Sequence, residues 1–144
     1  MTRYLLFTLI AVLLGVSGCK KHHNLPKVPP PHWTVDQTGK YPASMTIVVQ
    51  LPDNIRTYEQ EADQIGAFIG DECRGTGTLV TTGNGSTFFI LIHGTASEQG
   101  RLSFKYYSSM KMHMYATSPF LDFMADGSYG SVDNPRVLTL DPVR

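Results

Sequence analysis

The chain has 144 residues, with 12 basic and 12 acidic side chains and two cysteines. This length allows one domain with one core once an N-terminal leader is set aside. The balanced charge conceals a basic segment, residues 20–40, in which four lysines face one aspartate. From Tyr41 onward, seven basic residues face eleven acidic ones. The acidic remainder argues against nucleic-acid binding, which usually needs a basic patch.

The N-terminal residues have the layout of a secretory signal peptide. Arg3 supplies the positive start, and the apolar run from Tyr4 to Val16 is too short for a stable membrane span. The run ends in "VSGC", which resembles the bacterial lipobox, where small residues precede a cysteine that takes a lipid as a thioether. An ordinary signal peptide with a chance cysteine is the alternative. We predict that residues 1–18 are a lipoprotein signal peptide and that Cys19 carries the lipid.

Residues 19–40 read as a basic linker that follows the lipidated cysteine. The run Pro29–Pro31 favours an extended polyproline conformation, so we expect a spacer between the bilayer and the next domain. His22, His23 and His32 lie in this tract, but no carboxylate stands at ligand spacing. We therefore expect no metal site here.

Residues 41–144 show the pattern of an all-β domain. Short runs rich in Val, Ile, Thr, Phe and Tyr alternate with Gly, Pro, Asn and Asp. We predict an antiparallel β-sandwich of immunoglobulin-like type, with a small barrel as the alternative. The segment 86–94 is the most apolar and is predicted to be a central strand covered on both faces. About eight strands are predicted, at 44–51, 64–70, 72–80, 86–94, 101–108, 111–118, 120–126 and 136–140.

The segment "IGAFIGDECRG" (65–75) predicts a hairpin with a two-residue turn at Gly70-Asp71. Such a turn pairs Phe68 with Cys73, Ala67 with Arg74, and Gly66 with Gly75. We interpret Cys73 as a small core residue, because Arg74 would point to the other face and could not activate its thiol. A redox or catalytic cysteine is the alternative.

Three residues are candidate ligand contacts. The Arg74 guanidinium suits a carboxylate held by two bonds. The carboxylate could belong to a salt bridge with Asp63, Asp71, Glu72 or a residue that the other sheet brings near, or it could belong to a ligand. Tyr107 and Tyr115 are predicted to present rings that could stack on a sugar or anchor a protein interface. The alternative for both tyrosines is that they cover the edge of the core. Trp33 is predicted to close the bottom of the sandwich.

Catalytic motifs are missing from the sequence. No "GxSxG" segment occurs, and the neighbouring carboxylates Asp71 and Glu72 would point apart on a strand. The acidic loop 126–134 lacks the alternating carboxylates of a calcium loop. We therefore expect a non-catalytic protein without a cofactor or metal.

Several segments resemble a β-rich module of Bacteroidota-type lipoproteins and secreted multidomain proteins. They are "YPASMTIVVQL", "DQIGAFIGDECRGTG", "RLSFKYYSS" and "MYATSPFLDF", and the likeness covers about residues 33–140. The resemblance implies a β-sandwich module that is often repeated in cell-surface proteins, without a particular activity. The matching residues are Tyr41, Ser44, Met45, Asp63, Ala67, Phe68, Gly70, Glu72, Cys73, Arg74, Gly75, Phe104, Tyr106, Tyr115, Phe123, Gly130 and Pro135.

Surface-displayed lipoproteins of those bacteria often carry acidic residues after the lipidated cysteine, whereas this chain has "KKHH" at 20–23. We therefore expect the lipid to attach the protein to the outer membrane, with the domain on the periplasmic side rather than on the cell surface. The predicted function is that of an accessory or scaffold subunit with an envelope protein as its partner. The alternative is a surface module for glycan binding or adhesion.

Overall fold

The computed structural model describes residues 24–83 and 85–144, so Cys19 and the leader lie outside the described residues. The described part is nearly all β, which confirms the all-β prediction, and its one helix is α1 (Asp53–Arg56). No helix within it is long and apolar enough to cross a membrane. The strands are β1 (Ala43–Gln50), β2 (Gln64–Ile69), β3 (Glu72–Thr82), β4 (Gly85–Gly94), β5 (Arg101–Ser108), β6 (His113–Ala116), β7 (Leu121–Asp122), β8 (Ser128–Tyr129), β9 (Arg136–Val137) and β10 (Asp141–Pro142).

The strands form one curled sheet in the order β10-β6-β5-β2-β3-β4-β1-β8, with β7 added to β5 and β9 added to β1. The prediction of a purely antiparallel sheet is wrong, because β8 and β9 both pair with β1 in parallel. Most long strands still run antiparallel to their neighbours.

Strand β3 links two arms of this sheet. Its residues 72–76 pair with β2, whereas residues 77–82 pair with β4. Glycines stand where the partner changes: a Cβ atom on Gly75 would collide with the backbone of Leu91, and one on Gly77 with the side chain of Ile65. The two glycines therefore let the arms approach each other closely.

The core lies between the two arms. Alternate residues of β1 and β4, including Ile47 and Ile90, face alternate residues of β2 and β5, including Phe104. The rings of Phe88 and Tyr106 meet across the core edge to face, with centroids 6.1 Å apart. Full burial of each such side chain contributes about 1.5–3 kcal/mol, so this layer is the main source of stability.

Strand β4 is central, as predicted, since it lies between β3 and β1. The expectation that both of its faces are covered is wrong. Phe88 and Ile90 are buried in the core, but Phe89 and Leu91 on the opposite face are 42% and 43% exposed. Thr87, on the same face as these two, is only 3% exposed, so the outer side of β4 is covered at one end and open at Phe89 and Leu91.

The other arm has a cover on its outer face, which residues 28–35 provide; we call this segment the strap. The Val28 N–H donates a hydrogen bond of 2.8 Å to the Met112 carbonyl. Farther along, the Trp33 ring meets the Phe68 ring edge to face at 5.5 Å. A Cβ atom on Gly66 would lie 3.0 Å from the Trp33 ring, so the strap passes closely over β2. Trp33 thus lies on the outer face of the sheet and not at the bottom of a sandwich.

Candidate functional site

The hairpin of β2 and β3 has the predicted turn but a different register. Gly70 adopts a φ of 59°, and Phe68 pairs with Cys73 as predicted. The other two predicted pairs are wrong, because a β-bulge shifts the partners by one residue and leaves Arg74 unpaired. A bulge redirects the side chain of the extra residue. The observed pairs are Ala67–Gly75 and Gly66–Thr76.

Cys73 is a free, buried thiol, in agreement with a small packing residue. It shares the face of Phe68, so it lies on the strap side of the sheet and outside the main core. Its Sγ lies 3.6 Å from the Gly75 carbonyl oxygen, to which it can donate. Burial raises the pKa of the Cys73 thiol, which disfavours the reactive thiolate.

Arg74 is held by groups of the protein and is 6% exposed. Its Nη1 atom donates to Glu98 Oε2 at 3.0 Å and to the His93 carbonyl at 3.3 Å. Its Nε atom lies 3.5 Å from Glu72 Oε2, and its Cζ atom stacks 3.6 Å from the centre of the Tyr41 ring. This arrangement matches the salt-bridge interpretation of Arg74.

Among the predicted carboxylate partners of Arg74, the structure places only Glu72 beside it. Glu98 agrees with the open alternative of a carboxylate from the other sheet. The sequence could not name it, because it comes from the loop after β4 and no local pattern links it to the hairpin. Glu72 also accepts a hydrogen bond of 2.5 Å from the Tyr41 hydroxyl and lies 3.3 Å from Lys40 Nζ. The Tyr41 hydrogen bond, followed by that of Lys40, lowers the pKa of the Glu72 carboxyl.

Asp63 belongs to a different buried cluster. Its carboxylate accepts hydrogen bonds from the Tyr106 hydroxyl, from the Gln60 N–H at 2.8 Å and from the Ser109 N–H and hydroxyl at 2.7 and 2.6 Å. Burial, reinforced by the Asp63 hydrogen bond, strongly raises the pKa of the Tyr106 phenol. Because its donors come from separate segments, Asp63 fastens the loop before β2 to the end of β5.

The same loop brings a second carboxylate near Tyr106. Glu59 accepts a hydrogen bond from the Ser86 hydroxyl. Its Oε2 atom and Thr87 Oγ1 are buried, and neither has a hydrogen-bond partner among the described residues. Across residues 24–83 and 85–144, no group of three or more His, Cys, Asp or Glu side chains could hold a metal ion.

The two candidate tyrosines lie on opposite faces of the sheet. Tyr107 is opposite Met114 on the outer face, where it is only 2% exposed. Tyr115 is opposite Tyr106, and the two rings pack 6.1 Å apart against the core. Arg74 lies on β3, which is two strands from β5 and three from β6. The three candidate residues therefore do not form a common site.

An exposed apolar surface is found instead on β3 and β4. We call Val80, Phe89 and Leu91 the outer apolar face; they are 37%, 42% and 43% exposed. An antiparallel sheet that faces water normally shows polar residues at such positions. The sequence signal for this face is the uninterrupted apolar run in "STFFILI" (86–92), which predicts burial on both sides of the strand, whereas the structure buries one side and leaves Phe89 and Leu91 exposed.

A cleft of about 330 Å³ lies where the two ends of the curled sheet approach each other. The β6–β10 end supplies one wall and the β8–β9 end the other, and the rings of Phe120 and Tyr129 meet between them at 6.2 Å. We call it the seam cleft. It was not predicted, because its residues come from segments far apart in the chain. They are Thr117, Ser118, Phe120, Tyr129, Val137, Thr139 and Asp141.

Comparison with known proteins gives no match: no protein family, no curated protein and no solved structure is significantly similar to this chain. The features that bear on function are therefore the outer apolar face, the seam cleft and the buried polar clusters.

Proposed function

We propose that the protein is a lipid-anchored, non-catalytic accessory subunit of the bacterial outer membrane. In this proposal Cys19 carries the lipid, the domain faces the periplasm, and the outer apolar face binds a larger envelope protein. We also propose that the curled sheet is an immunoglobulin-like β-sandwich whose two layers are the arms joined by β3. This architecture is supported by β3, whose first half pairs with β2 in one arm and whose second half pairs with β4 in the other.

The observation that carries the proposed function is the exposure of Phe89 and Leu91 on the central strand. Removing apolar surface from water contributes about 25 cal/mol per Å², so a partner that covers these side chains gains binding energy. The strap already covers the outer face of the other arm. The outer apolar face is the corresponding surface that the described chain leaves uncovered, and such patches mark interaction sites.

The surroundings of this face favour a protein over a lipid surface as the partner. Phe89 is paired with Thr78 on one side and with Val48 on the other, and Leu91 is paired with Thr46. None of these three neighbours is charged, whereas binding to anionic lipid headgroups depends on clustered lysine or arginine. An apolar centre with a polar rim is the usual composition of a protein interface.

The buried polar residues support a non-catalytic role. The Asp63 carboxylate accepts hydrogen bonds from four donors. Arg74 Nη1 donates to Glu98 and His93, and the guanidinium stacks on Tyr41, while its buried Nε has no hydrogen-bond partner among the described residues. Cys73 is buried and its pKa is raised, so its thiol is a poor nucleophile. These contacts serve the fold, and the Asp63 carboxylate and the Cys73 thiol are poorly suited to act on a substrate.

Photo-crosslinking in the native host tests the proposal. A photoreactive phenylalanine analogue at position 91 should give a discrete heavier adduct, whose second component is an envelope protein by mass spectrometry. The same analogue at exposed Ser97, in the loop after β4, is the matched control and should give none. In the Phe89→Thr background, the adduct from position 91 should be reduced. An adduct of two copies of this chain, or equal adducts from both positions, would contradict a heteromeric docking face.

Protease shaving tests the proposed orientation. Cleavage of the domain only after cell lysis is the expected result for attachment on the periplasmic side. Cleavage on intact cells would contradict that orientation and would indicate surface display. A cytoplasmic protein serves as the control for cell integrity.

A further inference from the structure

The seam cleft offers a second binding site, on a part of the molecule away from the outer apolar face. It opens between the ends of the sheet, whereas the outer apolar face lies on the central strands β3 and β4. Its volume of about 330 Å³ is at the lower end of the ~300–1,000 Å³ that is typical of small-molecule sites.

The β6 wall of the cleft is held by contacts with the core. The Phe120 N–H donates to the Leu102 carbonyl at 3.0 Å, and the Phe120 ring packs 5.8 Å from the ring of buried Phe104. Thr117 is bound to Phe104 twice: its N–H donates to the Phe104 carbonyl, and its Oγ1 accepts from the Phe104 N–H, both at 2.9 Å. Side chains fixed in this way lose little freedom when a ligand binds.

The opposite wall is fixed by pairing with β1. Tyr129 is in register with Ile47 and packs against the core, and its ring contacts that of Phe120. The Arg136 guanidinium carbon lies 5.4 Å from the centre of the Tyr129 ring. The cleft therefore presents two aromatic rings from opposite ends of the sheet in a preformed arrangement.

The polar lining consists of hydroxyl groups and one carboxylate. Thr117, Ser118 and Thr139 supply hydroxyls, and Asp141 supplies an acceptor. Because Thr117 Oγ1 already accepts the Phe104 N–H, its own proton can be donated to a ligand. Hydroxyls and a carboxylate beside aromatic faces match a ligand that has C–H surfaces for the rings and a rim of hydroxyls.

We propose that the seam cleft binds a neutral saccharide, with Phe120 and Tyr129 against the sugar ring and Asp141 accepting hydrogen bonds from its hydroxyls. The Asp141 carboxylate disfavours acidic sugars by repulsion. A peptide added as a new strand fits less well, because β8, β9 and β10 have two residues each and Pro142 in β10 cannot donate a backbone hydrogen bond.

A glycan array probed with the full chain in detergent micelles tests this proposal. The array should carry neutral glucans, mannans and xylans, acidic glycans of similar length, and a set of extended peptides. We expect binding to at least one neutral glycan. The highest-affinity oligosaccharide is then titrated by calorimetry against the parent protein and its variants. Tyr129→Ala and Asp141→Asn should each weaken binding about tenfold.

The variants include their own controls. Tyr58→Ala removes another partly exposed tyrosine, which stacks under Lys111 outside the cleft, and should leave affinity unchanged. Asp141 is exposed at the sheet edge, so Asp141→Asn tests the cleft even if Tyr129→Ala fails to fold. No binding to any neutral glycan, tighter binding of acidic glycans or peptides, or unchanged affinity in both cleft variants would overturn the proposal. Crosslinking from position 91 should be the same in Tyr129→Ala, so the two proposed sites can fail independently.

Discussion

Replacing Arg74 with methionine should lower the free energy of unfolding of the domain by about 3.5–4 kcal/mol. Methionine keeps much of the unbranched stem that packs on Tyr41 but removes the guanidinium. The Glu98 carboxylate, of which 15% is exposed, then loses its charged partner at 3.0 Å. The His93 carbonyl loses a donor at the same time.

The magnitude follows from the burial of this pair. Removing one partner of a buried ion pair costs about 3–5 kcal/mol, because the remaining charge is left without compensation. The partial exposure of Glu98 lets water solvate its carboxylate, which favours the lower end of that range. The lost stacking of the guanidinium on Tyr41 adds about 0.5–1 kcal/mol.

Urea unfolding measures the change, with far-ultraviolet circular dichroism reporting on the sheet. Fluorescence of Trp33, the one tryptophan of the chain, reports on the strap. The matched control is Arg56→Met, whose bridge to Asp53 has exposed fractions of 39% and 90%. We expect that control to change stability by less than ~1 kcal/mol, because exposed ion pairs contribute little.

Similar losses in the two variants would refute the structural assignment of Arg74. A second check is the double substitution of Arg74→Met with Glu98→Gln, which should be less destabilising than the sum of the single changes. Strictly additive losses would show that the two side chains act separately. The Arg74→Met loss should also persist in high salt, since buried pairs are weakly screened.

Four further predictions concern other parts of the chain. In a Cys19→Ser protein, the Cys73 thiol should react with a disulfide reagent only after unfolding, and fast labelling of the native protein would contradict its burial. In the native host, Cys19→Ser should prevent palmitate labelling and release the protein from the membrane fraction; retained label would exclude Cys19 as the lipid site. The pKa of the Tyr106 phenol is raised above its ordinary value of 10.0, so the stability it contributes is present below pH 10.0 and is lost as the pH rises above that value. Urea titrations between about pH 9 and 11 should therefore show a falling free energy of unfolding, and the fall should be shallower in Tyr106→Phe. Gly66→Ala should loosen the strap and speed trypsin cleavage after Lys27, whereas an unchanged rate would show that the strap is not held by this contact.

The periodicity of the chain was enough to predict the long strands. The segments 64–70, 86–94 and 101–108 agree with β2, β4 and β5 to within about one residue at each end. Alternation with a period of two is a local property, and so is the turn at Gly70, where glycine tolerates the positive φ. The prediction of Cys19 as the lipidated residue likewise uses only neighbouring residues, and it remains a prediction.

The two-residue strands were harder to predict from the sequence. β8 and β10 were missed, and 120–126 shrank to the pair in β7. A strand of two residues has no periodicity of its own and exists because a longer strand, β1 for β8 and β6 for β10, offers hydrogen-bond partners. The position of such a short strand depends on where a later segment of the chain comes to lie beside an existing strand, and that is decided by the whole fold.

The tertiary structure decided which residues could serve as a site. The sequence by itself placed Tyr107 and Arg74 on outward positions, but burial depends on what lies above a face, and both side chains proved to be buried. The bulge at Arg74 and its pairing with Glu98 likewise join segments that local patterns cannot relate. Phe89 shows the opposite case, since it was expected to be buried and is exposed. An apolar run indicates burial on average, but only the packing of the whole fold determines whether a second layer covers that face. The sequence therefore determined the strands and the proposed anchor, and long-range packing determined the exposed surfaces.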